Sequence, residues 1–338
     1  MQNISKRFIP LLLFFCVTFG AFPQYVQDTL GMEFRKHTFV MPDDYEGSVI
    51  STLIKRVSDH HSNRAVLYVH GFNDYFFQAE MAYKFDSAGY NFYAVDLRKY
   101  GRSLLPGQYP FNVRSLNEYF ADIDSAIHMI KKEGNEEIIL MGHSTGGLIC
   151  SMYADHNRKD LPVNALILNS PFLDMNQSWF KEKILIPVVS FLGRWFPNAK
   201  VPQGVSQGYA ESLLKEYHGE WNFITDWKMI QSPPLTFGWI RAIHTAQCQI
   251  RDGLHIPVPV LVMHSDKSIH GDDWTPEFNT GDAVLDVEDI EKYGRMLGPR
   301  TTDAAIPNGL HDLVLSNPES RNRTYNTMFG FLKYYHLQ

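Results

Sequence analysis

Cysteine is scarce in this chain of 338 residues, limited to Cys16, Cys150 and Cys248. So few thiols exclude a disulfide framework as the source of stability. Lys and Arg never gather into a run long enough to follow a nucleic-acid backbone, and the formal net charge is −6. No nucleic-acid partner is therefore expected. Internal repeats and low-complexity segments are absent too, which leaves no basis for a solenoid. The one markedly apolar run lies at the N-terminus and is short for a membrane span, which needs roughly 20 residues.

What is present is apolar and aromatic. Hydrophobic residues make up 44% of the chain and aromatics 14%, enough for one large α/β core, for an apolar cleft, or for both. The opening "MQNISKRFIPLLLFFCVTFGAFPQ" carries Lys6 and Arg7, an apolar stretch over residues 8–22, then polar chain. That order predicts a secretory signal peptide over residues 1–21, cut near Ala21 after the small residues Thr18 and Gly20. The mature protein would then be secreted or periplasmic, an uncleaved membrane anchor being the alternative. Phe14 and Phe15 argue against a lipid-modified Cys16, because small residues would be expected there. Removal of the segment takes two basic residues and no acid, making the chain more acidic. It would leave Cys150, inside a predicted buried helix, as a packed thiol, and Cys248.

Strands and helices alternate through most of the chain. "SVISTLIKRV" (48–57) alternates as an outer strand does, and "RAVLYVH" (64–70) is a near-continuous apolar run suited to a buried parallel strand. A helix over 79–89 stops at Gly89, a strand covers 90–97, and a helix over 115–134 stops at Gly134. Strands at 136–142, 164–170, 258–264 and 301–307 continue the series, with a final helix over about 318–335. The pattern predicts a mainly parallel sheet with helices on both faces. Residues 171–256 break it. No sheet strand is recognisable there, while Trp179, Phe180, Trp195, Phe196, Trp221, Phe223, Trp227 and Trp239 crowd in. Either an extra helical layer packs on the sheet or a helical cap covers the site. The cap is preferred, since this segment leaves and rejoins the sheet on strands that flank the chemistry.

That chemistry centres on Gly142-His143-Ser144-Thr145-Gly146. Gly-x-Ser-x-Gly between a strand and a helix is the sequence of a nucleophile elbow, a strained turn that lifts the serine hydroxyl clear of the sheet. A hydroxyl at neutral pH needs a base within hydrogen-bond reach. His311 fits, in the loop after the last strand, whereas His70, His143 and His264 sit at strand ends or inside the elbow. Asp312 beside it reads as a helix cap or surface residue. The acid must lie between the 258–264 strand and His311. Asp282 is taken for that role because it follows Gly281 and leads into "AVLDVEDI"; Asp266, just past the strand, is the alternative. Asp286 is explained as a helix N-cap. The turn "HGF" at 70–72 can aim the Phe72 N–H at a developing oxyanion, paired with the N–H of Thr145.

Together "HGF", "DLRKYGRS" (96–103), "GHSTGG", "DAVLDVEDI" and "GLHDLVLS" resemble the α/β-hydrolase superfamily, in its branch of monoacylglycerol lipases and serine aminopeptidases. The resemblance covers about residues 35–336. It implies an eight-stranded sheet, a core over 35–170 and 257–336, a cap over 171–256, no metal, and a triad of Ser144, Asp282 and His311. One departure is visible: relatives carry the acid a few residues after the strand, where this chain has Lys267 and Ser268. The expected activity is acyl transfer without a cofactor on a small-molecule ester such as a monoacylglycerol, with the cap able to meet a membrane surface. A serine aminopeptidase is the rival. It would need a pocket carboxylate such as Glu211, Glu216, Glu220 or Asp226. A catalytically inactive binding protein on the same fold is the reading from another class.

Overall fold

A computed structural model describes residues 24–58, 61–201, 207–271 and 273–338; the expected signal segment lies outside them. In chain order the first half contains β1 (Val26–Asp28), β2 (Gly31–Asp44), β3 (Gly47–Arg56), β4 (Arg64–Val69), α1 (Ala79–Ser87), β5 (Asn91–Asp96), α2 (Phe120–Lys132), β6 (Glu137–His143), α3 (Thr145–His156) and β7 (Ala165–Asn169). There follow α4 (Ile186–Leu192), β8 (Lys200–Val201), α5 (Gln207–Leu213), β9 (Leu235–Thr236) and α6 (Phe237–Asp252). The chain ends through β10 (Val260–Ser265), α7 (Val287–Gly294), β11 (Thr301–Ile306) and α8 (Pro318–Tyr334).

Nine strands form the main sheet in the order β1-β2-β3-β5-β4-β6-β7-β10-β11. Every pair from β5 to β11 is parallel, while β1, β2 and β3 join antiparallel. The sheet is thus mixed and one strand larger than the eight expected. β3 is not an outer strand, because β2 covers it along Phe34–Met41. Ser51, Thr52, Leu53 and Ile54 are buried in succession, so both faces of its centre are covered.

The parallel strands are apolar because both of their faces are covered. Along β4, Ala65, Leu67 and Val69 enter one apolar cluster with α2, α3, α6 and α7, while Val66 and Tyr68 enter another with α1 and α8. Helix α2 follows a 3₁₀ turn, Leu116–Tyr119, whose Ser115 and Glu118 form a capping box, so the helix expected over 115–134 begins as a tighter coil. Gly89 and Gly134 stop their helices at φ 85° and 91°, a left-handed backbone that glycine adopts without a Cβ clash. Cys150 is fully buried on α3 and burial raises its thiol pKa, as suits a packed thiol.

Between β7 and β10 the regular structure is mainly helical, with β8 and β9 pairing as a two-residue antiparallel ladder. Ile243 and Ile250 of α6 are buried in the same cluster as α3, and α4 packs on α6. Among the described residues no helix is long and apolar enough to cross a membrane.

Candidate active site

Ser144 stands between β6 and α3 with φ 52° and ψ −118°, a strained conformation for a residue with a side chain. Its neighbours make the turn feasible. A Cβ on Gly142 would meet the Gly146 carbonyl oxygen at 2.5 Å, and one on Gly146 would meet the Val69 and His70 carbonyls at 2.4 Å. The elbow therefore presses directly on the end of β4. The Ser144 N–H donates to the Asn169 carbonyl at 2.9 Å, and its own carbonyl accepts from Phe172 N–H at 3.0 Å.

His311 lies in the loop after β11 and is buried. Its Nε2 is 2.9 Å from Ser144 Oγ, and its Nδ1 is 2.8 Å from Asp282 Oδ2. Asp282 is fully buried, and its Oδ1 accepts the N–H groups of Val284 and Leu285, each at 2.8 Å. An ionised carboxylate only accepts, so Nδ1 carries the proton and Nε2 is free to accept from the serine hydroxyl. Asp266 is exposed, and its Oδ1 accepts from Asn308 N–H at 2.8 Å. It fastens the loop, while Asp282 reaches the imidazole. Asp286 caps α7 by accepting from Glu288 N–H.

Phe72 and Thr145 both line the cavity that holds Ser144. Thr145 opens α3, where the first N–H groups have no partner within the helix. A Cβ on Gly71 would lie 3.0 Å from His143 Nδ1 and 3.1 Å from Ser144 Cβ, so glycine eases the close approach of this loop to the elbow. His70 fixes the loop from beneath: Nδ1 donates to the Gly71 carbonyl at 2.8 Å and Nε2 accepts Leu97 N–H at 3.1 Å. Burial lowers the His70 pKa and keeps the ring neutral, as that bonding requires.

Several site residues are not evident from the sequence. Asn73, at φ 48°, exchanges hydrogen bonds with the N–H and carbonyl of Met229 at 2.8 and 2.7 Å and donates to Ser232 Oγ at 2.8 Å. Asp74 pairs with Lys228 at 3.0 Å. The only hint is a polar Asn-Asp step inside an otherwise aromatic loop. Asp312 is neither a surface residue nor a side-chain cap. It is 1% exposed and accepts from Asn169 Nδ2 at 2.7 Å and Gln78 Nε2 at 3.0 Å. Its neighbour His311 turns one way into the site, and Asp312 turns the other way into the sheet end.

The cavity measures about 380 Å³, within the range of small-molecule sites. Its walls are mainly apolar, from Phe172, Leu185, Ile186, Val189, Trp239 and Leu285 among others, and no carboxylate lines it among the described residues. Beside it, and sharing His143 with its wall, one group among the described residues has metal-ligand chemistry: atoms of Asp74, His143 and Asp312 lie within 4.8 Å of one another. Lys228 already places a cation on Asp74, and the Gln78 amide occupies Asp312.

The family described as "Serine aminopeptidase, S33" matches residues 60–270, a span that includes Ser144 and ends before Asp282 and His311. No curated protein matches the sequence. In fold the chain is similar to a soluble variant of monoglyceride lipase from Saccharomyces cerevisiae, at 18% identity and TM-score 0.62, covering 88% of this chain and 96% of that one. Paleococcus ferrophilus monoacylglycerol lipase gives 17% identity, TM-score 0.59 and coverage of 89% and 98%. A thermophilic esterase from Thermogutta terrifontis gives 17%, 0.56, 89% and 99%. With the family matched over most of its length, the chain belongs to the serine aminopeptidase S33 family of α/β-hydrolases.

Proposed function

We propose that the protein hydrolyses carboxylic esters with lipid-like acyl groups through an acyl-enzyme on Ser144. The observation that carries this is the hydrogen-bonded chain Ser144–His311–Asp282 opening into an apolar cavity. Ser144 Oγ attacks the carbonyl carbon as its proton passes to His311 Nε2. The C–O bond to the alcohol then breaks, and that proton goes to the leaving oxygen. Water attacks the acyl-enzyme with His311 again as base, releasing the acid and restoring the serine. Asp282 orients the ring and balances its charge, and the N–H groups of Phe72 and Thr145 hold the oxyanion. No cofactor enters any step.

An aminopeptidase must hold a free ammonium, and none of Glu211, Glu216, Glu220 and Asp226 lines the cavity. Ester hydrolysis is favoured for that reason. In this reading residues 171–256 act as a cap. Helix α4 turns Ile186 and Val189 into the cavity and leaves Val188 and Phe191 outside, an arrangement suited to a membrane surface that delivers substrate. The expected signal segment would export the enzyme to meet it.

A fluorophosphonate probe tests the nucleophile: wild type should label and Ser144→Ala should not. Equal labelling of both would sink the proposal. Comparing p-nitrophenyl esters with aminoacyl anilides tests the substrate class, and faster anilide cleavage would favour the peptidase.

A further inference from the structure

His143 precedes the nucleophile and has no part in the triad, yet it is only 3% exposed. Neither ring nitrogen makes a hydrogen bond among the described residues. Missing hydrogen bonds alone do not fix its protonation state, since a neutral and a charged ring would both leave polar groups unmet. The charges around it bear on that state. Nδ1 lies 3.5 Å from Asp74 Oδ2 and 4.0 Å from Asp312 Oδ2. Asp74 comes from the loop after β4, Asp312 from the loop after β11, and Lys228 from the segment between α5 and β9.

Two buried carboxylates face one buried ammonium, which leaves one negative charge uncompensated unless His143 is protonated. The other groups in contact do not supply it. His70 is held neutral by its two hydrogen bonds. Tyr68 and Tyr209 have hydroxyl pKa values raised well above the ordinary value by burial and stay uncharged. Asn169 and Gln78 are amides. For His143, burial pulls the pKa down, but Asp312 and Asp74 outweigh it and the net direction is up, against a smaller opposing effect of Lys228.

We infer that His143 is a buried imidazolium whose charge discourages a second proton on His311, so that the base stays free at lower pH. The two rings are 5.0 Å apart, centroid to centroid, a distance at which like charges oppose each other strongly in a water-poor site. His143 is thus a tuning residue: it lines the cavity beside Ser144 and His311 but takes no proton in the reaction. The inference rests on the proposed triad only in its consequence for His311. The charge of His143 stands independently of it.

Nitrogen-15 NMR of the histidine rings tests the charge directly, with the His143 signals assigned by their loss in His143→Gln. At pH 7 the wild type should show both nitrogens protonated, and Asp312→Asn should move the titration down by roughly one to three pH units. In His143→Gln the acid limb of the kcat/KM profile for a soluble ester should rise by roughly one to two pH units, with circular dichroism unchanged. A neutral ring at pH 7, a titration unmoved by Asp312→Asn, or a signal altered by EDTA would overturn the inference. So would an acid limb that stays in place in folded His143→Gln. If that variant does not fold, through-bond correlations from the His143 backbone assign the ring instead, and the wild-type and Asp312→Asn spectra still decide. Probe labelling of Ser144→Ala would defeat the proposed nucleophile while leaving the ring spectra interpretable.

Discussion

Asp282 stands 29 residues before His311 in the chain, and its Oδ2 is 2.8 Å from Nδ1 of that ring. The loop between β10 and α7 reaches this geometry by doubling back. Asp282 N–H donates to the Lys267 carbonyl at 3.0 Å, and Ile269 N–H donates to the Asp282 carbonyl at 2.7 Å. These bonds return the acid to the strand end that residues 267 and 268 occupy. Asp282→Asn should therefore lower kcat by about 10²- to 10⁴-fold, since the amide would favour the wrong imidazole tautomer. Asp266→Asn should change it less than about threefold, because that residue bonds only the loop backbone. Steady-state kinetics on one soluble ester checks both, and the reverse ranking would move the acid to Asp266.

The elbow is legible in the sequence because a buried strand, a Gly-x-Ser-x-Gly step and a helix are all local patterns. His311 is legible from its place after the last strand. The acid is less legible for a physical reason: a two-bond bridge across an inserted loop leaves no periodic signal, so Asp282 is preferred to Asp266 on its local context alone. β2 gives little signal because much of it is exposed, with only Phe34 and Met41 buried along its length. Asp312 looks like a surface residue in the sequence because its burial depends on Gln78 and Asn169, two partners far away along the chain.

Gly146→Ala probes the elbow's contact with β4. The added Cβ would meet the Val69 and His70 carbonyl oxygens at 2.4 Å, and backbone at the end of a central strand has little room to yield. We expect a loss of about 1–3 kcal/mol, read as a lower urea midpoint with an unchanged m-value. Activity should fall too, since the shift would displace Phe72. An unchanged midpoint would mean that the strand end is softer than its hydrogen bonding implies.

Acid stability should bear the mark of His70 and Asp74. The His70 pKa is lowered by burial, so its contribution is intact above the unfolded value near 6.5 and is lost as pH falls from there towards the folded value. Asp74 is lowered despite burial, through Lys228 and His143, so its contribution is present above the unfolded carboxylate range and is lost as pH falls below it. A tenfold difference in proton affinity between the folded and unfolded chain corresponds to about 1.4 kcal/mol. Denaturant titrations should thus show stability declining first below about pH 6.5, and that first decline should shrink in His70→Asn, whose amide stays uncharged. An identical pH dependence in the variant would remove His70 from the explanation.

The outer face around α4 carries the last expectation. Trp179 is 69% exposed, Phe191 61% and Trp195 53%, with Phe180, Val188 and Phe196 also uncovered. Lys181, Lys183 and Arg194 lie among them in the chain. Side chains of this size gain roughly 1.5–3 kcal/mol each when taken out of water, and basic neighbours add attraction to anionic headgroups. Phe191→Glu with Trp195→Glu should therefore weaken co-sedimentation with phosphatidylglycerol vesicles by about a hundredfold or more. Turnover of a water-soluble short-chain ester should stay near wild type, because Ile186 and Val189 on the same helix still wall the cavity. Hydrolysis of a vesicle-borne ester should fall in step with binding. If wild type does not sediment with vesicles but forms a dimer that the double variant abolishes, the face meets a second copy of the chain instead.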